Sequence, residues 1–364
     1  MSLPQLRARR GRMTDDLAAL VAVESPSADD TATAAGADAV TALGTALIGT
    51  APERSGNHLL WRHGPTRVLL LGHHDTVWPV GTLARWPFSV TGDTATGPGC
   101  FDMKAGLVQL FHALSVLPSL DGVTVLVNAD EEIGSPVSRT LIADAARGAA
   151  AALVCEPSLD GALKTARKGI ARYRLEVTGR AAHTGLDPAR GVNAGVELAH
   201  QTIAVAGLGH GDTTVTPTVM QAGTTENTVP AAASLAVDVR AFHDTEFDRV
   251  ERAIHALRPV VPGSHLTVRG HRQRPALPAS ASTGLFRLAC DVAADLGLPA
   301  LTGAAVGGAS DGNLTAGLGV PTLDGLGPVG GNAHADGEWV DLAAMGDRAA
   351  LLAALVTRLL ARPA

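Results

Sequence analysis

Three short apolar runs, each closed by a knot of polar side chains, limit what this chain can become. They are VLLL running into GHHDTV (residues 68–77), VTVLV into NADEE (123–132) and ALVC into Glu156 (152–156). None alternates polar with apolar residues, so each reads as a strand covered on both faces. Between the first two lies a segment with Leu107, Leu110, Phe111, Leu114 and Leu117 on a single helical face. Strand, helix, strand in that order predicts an α/β fold, a mostly parallel mixed sheet flanked by helices. Helices are expected over 15–23, 34–47, 282–296 and 342–360, with a short strand at 321–323.

The pattern changes near Lys168. Ala171, Tyr173, Leu175 and Val177 alternate with Arg172, Arg174, Glu176 and Thr178, which predicts a strand with one solvated face. A helix is expected over 192–205, strands over 214–220 and 234–241, a helix over 245–257 and a strand over 265–269. The order β-α-β-β-α-β is that of a ferredoxin-like α+β unit. With 364 residues the chain is too long for one ordinary core. The expected division is a first domain of residues 1–167 and 276–364, with 168–275 inserted as a second.

A net charge of −6 argues against a nucleic-acid partner. No uninterrupted apolar run reaches bilayer length, so no membrane partner is expected. The basic N-terminus MSLPQLRARRGRM meets Asp15 and Asp16 before any apolar core of an export signal. Cys100, Cys155 and Cys290 cannot all pair and form no CxxC motif, which fits a reducing, cytoplasmic setting.

Ligands of open α/β sheets gather beyond the carboxyl ends of the strands. His73, Asp75, Glu131, Glu132 and Glu156 fall at three such ends, and Asp102 and His334 lie in glycine-rich loops that could reach the same crevice. So many carboxylates without basic partners would repel one another. Divalent cations would resolve the repulsion, and imidazoles mixed with carboxylates suit zinc, cobalt or manganese better than magnesium or calcium. Each element alone is weak: an HxD pair is common at surfaces, and a DEE triplet usually opens a solvated helix. Their joint occurrence in order is what points to a site.

The motifs HHDTV (73–77), GPGCFDMKAG (97–106), DEEIGS (130–135), CEPS (155–158), AAHTG (181–185), GGASDG (307–312) and the late His334 appear together. From about residue 17 to 360 the chain resembles the zinc exopeptidases and amidohydrolases that include bacterial glutamate carboxypeptidase, acetylornithine deacetylase and succinyl-diaminopimelate desuccinylase. The resemblance implies two Zn2+ per chain, with Co2+ or Mn2+ as possible substitutes. Asp102 would bridge them, His73 and Glu156 would complete one site, and Glu132 and His334 the other. Asp75 would accept the second ring N–H of His73, Glu131 would be the general base, and Asp102–Met103 is a candidate cis peptide. The inserted domain would serve as lid and dimerisation surface of a homodimer. It would supply His183 towards an oxyanion, Asn227 near the substrate, and Arg240 or Arg274 to grip a carboxylate. Ser310 marks a turn whose N–H groups favour an anion.

The implied substrate is a small molecule or short peptide, cleaved at an amide next to a carboxylate-bearing amino acid. GHHDTVWPVGTL and RPAL (274–277) favour the glutamate-carboxypeptidase branch. Deacylation of an N-acyl amino acid is the alternative, and a non-catalytic binding or dimerisation relative is a third. Departures from the family pattern include CEPS for CEPT or GEPT, Ala105 for a glycine, and the longer approach GGNAHADGEW to His334. His74 occupies the variable position of HxD, and Cys100 and Cys155 read as small apolar residues rather than nucleophiles.

Overall fold

The run 68–73 forms the strand Val68–His73, every residue of it buried. It lies between Val123–Asn128 and Ala151–Val154 and is parallel to both. Thr322–Leu323 adds to Ala151–Val154 in parallel, and His58–His63 and Glu53–Ser55 extend the other side antiparallel. The result is a six-stranded mixed sheet. The computed structural model describes residues 3–362. They divide into one compact unit of residues up to Ala166, Leu277–Val306 and from Ser310 onward, and a second of Arg167–Ala276 with Gly307–Ala309.

The helix Ala105–Leu114 is buried along its whole length and packs into the first unit's core with the closing helix Met345–Leu360. Helix Arg10–Val21 begins five residues before the expected start. Met13, Leu17, Leu20 and Val21 are all buried, so the apolar stripe already opens at Met13. Helix Asp30–Ile48 is capped by the Asp29 carboxylate, which accepts from the N–H groups of Thr31 and Ala32. By length and composition this 19-residue helix could cross a bilayer. It holds no uninterrupted apolar run of that length, because Thr, Gly and Asp38 break the sequence. One face, with Gly36, Ala37, Val40, Leu43 and Gly44, is buried against the protein core.

The second unit is a four-stranded antiparallel sheet in the order Thr214–Ala222, Ala232–Ala241, Gly169–Thr178, His265–Arg274, with helices Ala194–Ala206 and Asp244–His255. Its core includes Tyr173, Leu175, Leu198, Leu235, Val237, Phe247, Val250 and Ile254. The last strand runs five residues beyond the expected end at 269. Its extension is polar, and backbone pairing with Gly169–Thr178 rather than hydrophobic burial carries it on. Gly270 is required there, because a Cβ would stand 2.1 Å from the Arg172 carbonyl oxygen.

Composition and periodicity missed a small second sheet in the first unit. Ser89–Thr91, Thr94–Thr96, Trp339–Asp341 and Gly330–Gly331 form it, all antiparallel. Strands of two or three residues leave no periodic signal. Their consequence is large, since Trp339 pairs with Thr96 and so fixes the HADGEW hairpin beside the loop that carries Asp102.

Candidate active site

His73 is the last residue of the central strand. Its Nδ1 lies 2.9 Å from the Asp75 carbonyl oxygen, which can only accept. Nδ1 therefore carries the proton, and the Nε2 lone pair faces outward. Nε2 stands 3.2 Å from Asp102 Oδ1 and 3.4 Å from Glu156 Oε1. A lone pair and two carboxylate oxygens at these distances require a cation among them, either a proton on the ring or a metal ion. Burial disfavours the charged ring, but hydrogen bonds to Asp102, Asp75 and Glu156 outweigh it and hold the His73 pKa well above its usual value.

The other oxygen of Asp102 faces a second imidazole. His334 Nε2 lies 3.4 Å from Asp102 Oδ2 and 3.1 Å from the Glu132 carboxylate. Hydrogen bonds donated to Asp102 and then Glu132 push the His334 pKa up to about 10. Burial would raise the Asp102 pKa, yet the two imidazoles hold it far below the usual carboxylate range. Asp102 thus faces His73 with one oxygen and His334 with the other. His334 sits at the tip of the hairpin between Gly331 and Trp339 with φ 61°, a left-handed conformation that costs a non-glycine residue about 1–2 kcal/mol. Strain of this kind gathers at functional positions.

Glu131 and Glu132 open the turn Glu131–Ile133 that follows strand Val123–Asn128. Carboxylate oxygens of Glu131 and Glu156 and a ring nitrogen of His73 lie within 4.8 Å of one another, as do atoms of His73, Asp102 and Glu132. The set of two imidazoles and several carboxylates, running from the buried His73 and Glu156 to the exposed His334, fits divalent ions that accept nitrogen and oxygen donors. The peptide Asp102–Met103 is cis.

Asp75 faces His73 Nδ1 with two groups: its backbone carbonyl makes the shorter contact at 2.9 Å and its carboxylate Oδ1 stands at 3.4 Å. The carboxylate also accepts from the N–H groups of Glu131 at 3.2 Å and Glu132 at 3.1 Å, and from the Ser27 hydroxyl at 2.6 Å. It therefore sets the turn that presents both glutamates. A second brace, unnoticed in the sequence, is the buried Asp311, which accepts from the Ser135 hydroxyl at 2.5 Å and from the Asn128 side-chain amide. These residues flank the glutamate turn on both sides.

His74 is no part of the cluster. It is buried with Nε2 2.9 Å from the Asn57 carbonyl oxygen, and its ring lies against Gly36 of helix Asp30–Ile48. Burial lowers its pKa to about 4. Cys100 and Cys155 are free thiols whose pKa values burial pushes upward, which suits apolar packing and not nucleophilic attack. Ser310 requires a correction. It is fully buried, its N–H is donated to Asn313 Oδ1 and its hydroxyl to Asp324 Oδ2, so it braces the turn and has nothing left to offer an anion.

Four further residues from the sequence reading lie in the second unit. His183 and Asn227 are exposed and adjacent, since His183 bridges Thr228 and the Thr184 N–H donates to the Asn227 carbonyl. His183 Nδ1 accepts from Gly185 N–H, leaving Nε2–H as a donor directed elsewhere. Arg240 and Arg274 both pair with Ile170 from neighbouring strands, so they flank one position of the sheet. Arg240 is half-buried and its Nε donates to Asp238 Oδ1 at 2.8 Å, while Arg274 is buried.

The chain is similar to known proteins in both sequence and fold. The model of peptidase family M20/M25/M40 matches residues 69–358. The chain is 33% identical over 333 residues to carboxypeptidase G2 of Pseudomonas sp. (strain RS-16), covering 86% of this chain and 77% of that one. A 90-residue stretch, 23% of this chain and 21% of the relative, is 39% identical to one component of the p-aminobenzoyl-glutamate hydrolase of Escherichia coli (strain K12). The fold is similar to that of aminopeptidase PepT from Bacillus cereus ATCC 10987, with a TM-score of 0.76 at 20% identity over 96% of this chain and 99% of that one. An α/β enzyme with a histidine–carboxylate cluster at its strand ends is the class these observations define. The chain belongs to the peptidase M20/M25/M40 family, the zinc exopeptidase and amidohydrolase family, and is a metallopeptidase or amidohydrolase.

Proposed function

We propose that the protein hydrolyses an amide bond next to a carboxylate-bearing amino acid, in the manner of a glutamate carboxypeptidase, with two zinc-class ions held by its cluster. The observation that carries this reading is Asp102, whose two oxygens face two separate histidine–carboxylate sets. His73, Glu156 and Asp102 would hold one ion, and His334, Glu132 and Asp102 the other. Paired divalent ions supply charge neutralisation, an activated water and polarisation of the scissile carbonyl.

Glu131 is the general base of this reading. Its carboxylate lies within the 4.8 Å group of His73 and Glu156, and its backbone is fixed by Asp75. It takes a proton from water as the carbonyl is attacked and delivers it to the departing amine. The His183 Nε2–H suits an oxyanion, Asn227 beside it suits a polar substrate group, and Arg240 suits a carboxylate. A substrate carboxylate would have to replace Asp238 as the partner of Arg240. Pairing of two chains through the second unit is also proposed, supported by the edge strand Thr214–Ala222 with Val219 and Met220 exposed.

The likeness to a carboxypeptidase, and over 90 residues to a component of a p-aminobenzoyl-glutamate hydrolase, favours release of glutamate from an N-acylated or peptidyl precursor over release of an acetyl or succinyl group. Parallel assays of C-terminal glutamyl amides and N-acetyl or N-succinyl amino acids, read by amine release on zinc-loaded protein, test it. Turnover of the glutamyl series is expected to dominate. Dominant deacylation would replace the carboxypeptidase reading, and no turnover of either series would overturn amide hydrolysis.

A further inference from the structure

Glu338, in the HADGEW segment, is fully buried, yet its carboxylate accepts four N–H groups. Oε2 receives Trp78 Nε1–H at 2.8 Å and Gly99 N–H at 2.9 Å. Oε1 receives Phe101 N–H at 2.8 Å and Asp102 N–H at 2.9 Å. Its carbonyl also accepts from Gly97 N–H and the Cys100 thiol. The turn from Gly97 to Asp102 therefore hangs on one residue, with Gly99, Phe101 and Asp102 held by its carboxylate, and the last of these donors belongs to the residue whose carboxylate lies between both imidazoles. The same hairpin carries His334 four residues earlier, and Trp78 follows Asp75 by three. Three segments of the cluster meet at this carboxylate.

We propose that Glu338 is the positioning residue for Asp102, fixing its carboxylate so that both oxygens are ligands at once and tying that placement to the hairpin that delivers His334. The proposal rests on the two-ion reading above. Such partners of metal ligands typically govern affinity by about ten- to a hundredfold. In Glu338→Gln one oxygen becomes an NH2 group facing two N–H donors, which must turn away or lose their acceptor. Because Asp102 is shared, the loss should fall on both ions.

The test is competition for Zn2+ between the full-length protein and a chromophoric chelator, with thermal unfolding followed in parallel. Glu24→Gln is the control, since the Glu24 carboxylate also caps a loop, through Gly81 and Leu83 N–H, without touching the Asp102 turn. Glu338→Gln should weaken both ions by about ten- to a hundredfold, while Glu24→Gln leaves both affinities within about twofold of wild type whatever its melting temperature. Wild-type affinity in folded Glu338→Gln overturns the proposal, and so does loss of one ion alone, which would assign Glu338 to His334. If Glu338→Gln does not fold, Glu338→Asp keeps the charge and withdraws both oxygens; weakened binding of both ions supports the proposal and wild-type binding overturns it. A wild-type chain that takes up no Zn2+ removes the two-ion reading itself, and the proposal with it.

Discussion

Glu131 and Glu132 are neighbours in sequence, and one turn gives them different partners around His73: Glu131 groups with Glu156, Glu132 with Asp102 and His334. Proton transfer should depend on the first and ion retention on the second. Glu131→Ala is expected to lower kcat by about a hundred- to ten-thousandfold while ion content per chain stays at the wild-type level; near-normal kcat would remove Glu131 from the chemistry. His74 yields a prediction in pH. Its folded pKa of about 4 lies below the unfolded value of 6.5, so the unfolded chain binds a proton that the folded one refuses. Stability is therefore unaffected by this group above pH 6.5 and is lost as pH falls towards 4, by about 3 kcal/mol in full. Denaturant unfolding of wild type and His74→Gln between pH 7 and 4.5 should show the wild type losing more stability over that range. Equal slopes would contradict the buried neutral ring.

At the scale of elements, the strand ends and the helix between them were legible because both carry strong, uniform burial: the central strands are mostly apolar and buried throughout, and Ala105–Leu114 is enclosed. His73, Glu131, Glu132 and Glu156 were legible because they follow those strand ends, and Asp102 and His334 because they lie in glycine-rich motifs. The braces were not. Asp311 and Glu338 stand 183 residues after Asn128 and 236 after Asp102 respectively, and no local pattern announces a contact of that span. The expectation for Ser310 failed for the same reason, since its partner Asp324 was invisible until the turn closed. Packing at the strand ends is tight enough to test. A Cβ on Gly106 would stand 2.2 Å from the Cys155 carbonyl oxygen, which is backbone and cannot yield cheaply. Gly106→Ala should push helix Ala105–Leu114 away from the strand end preceding Glu156 and cost about 1–3 kcal/mol, seen as a lowered melting temperature. An unchanged melting temperature would mean that the helix start is free to shift.

At the scale of the whole molecule, the chain holds two units with separate hydrophobic cores, and every residue of the histidine–carboxylate cluster belongs to the first. Ions bound there stabilise only what they touch. Calorimetry of chelator-stripped protein should show the first unit's unfolding transition rise on adding Zn2+, by about 2.7 kcal/mol at a hundredfold excess over Kd for one site. The transition of residues 167–276 should stay in place. Equal shifts in both would mean that the two units unfold as one. The most direct test of the two-ion cluster is the number of zinc equivalents bound per chain at equilibrium dialysis. Two in the wild type, with a marked loss in Asp102→Ala, is the predicted result. One or none in a folded wild-type chain would contradict it.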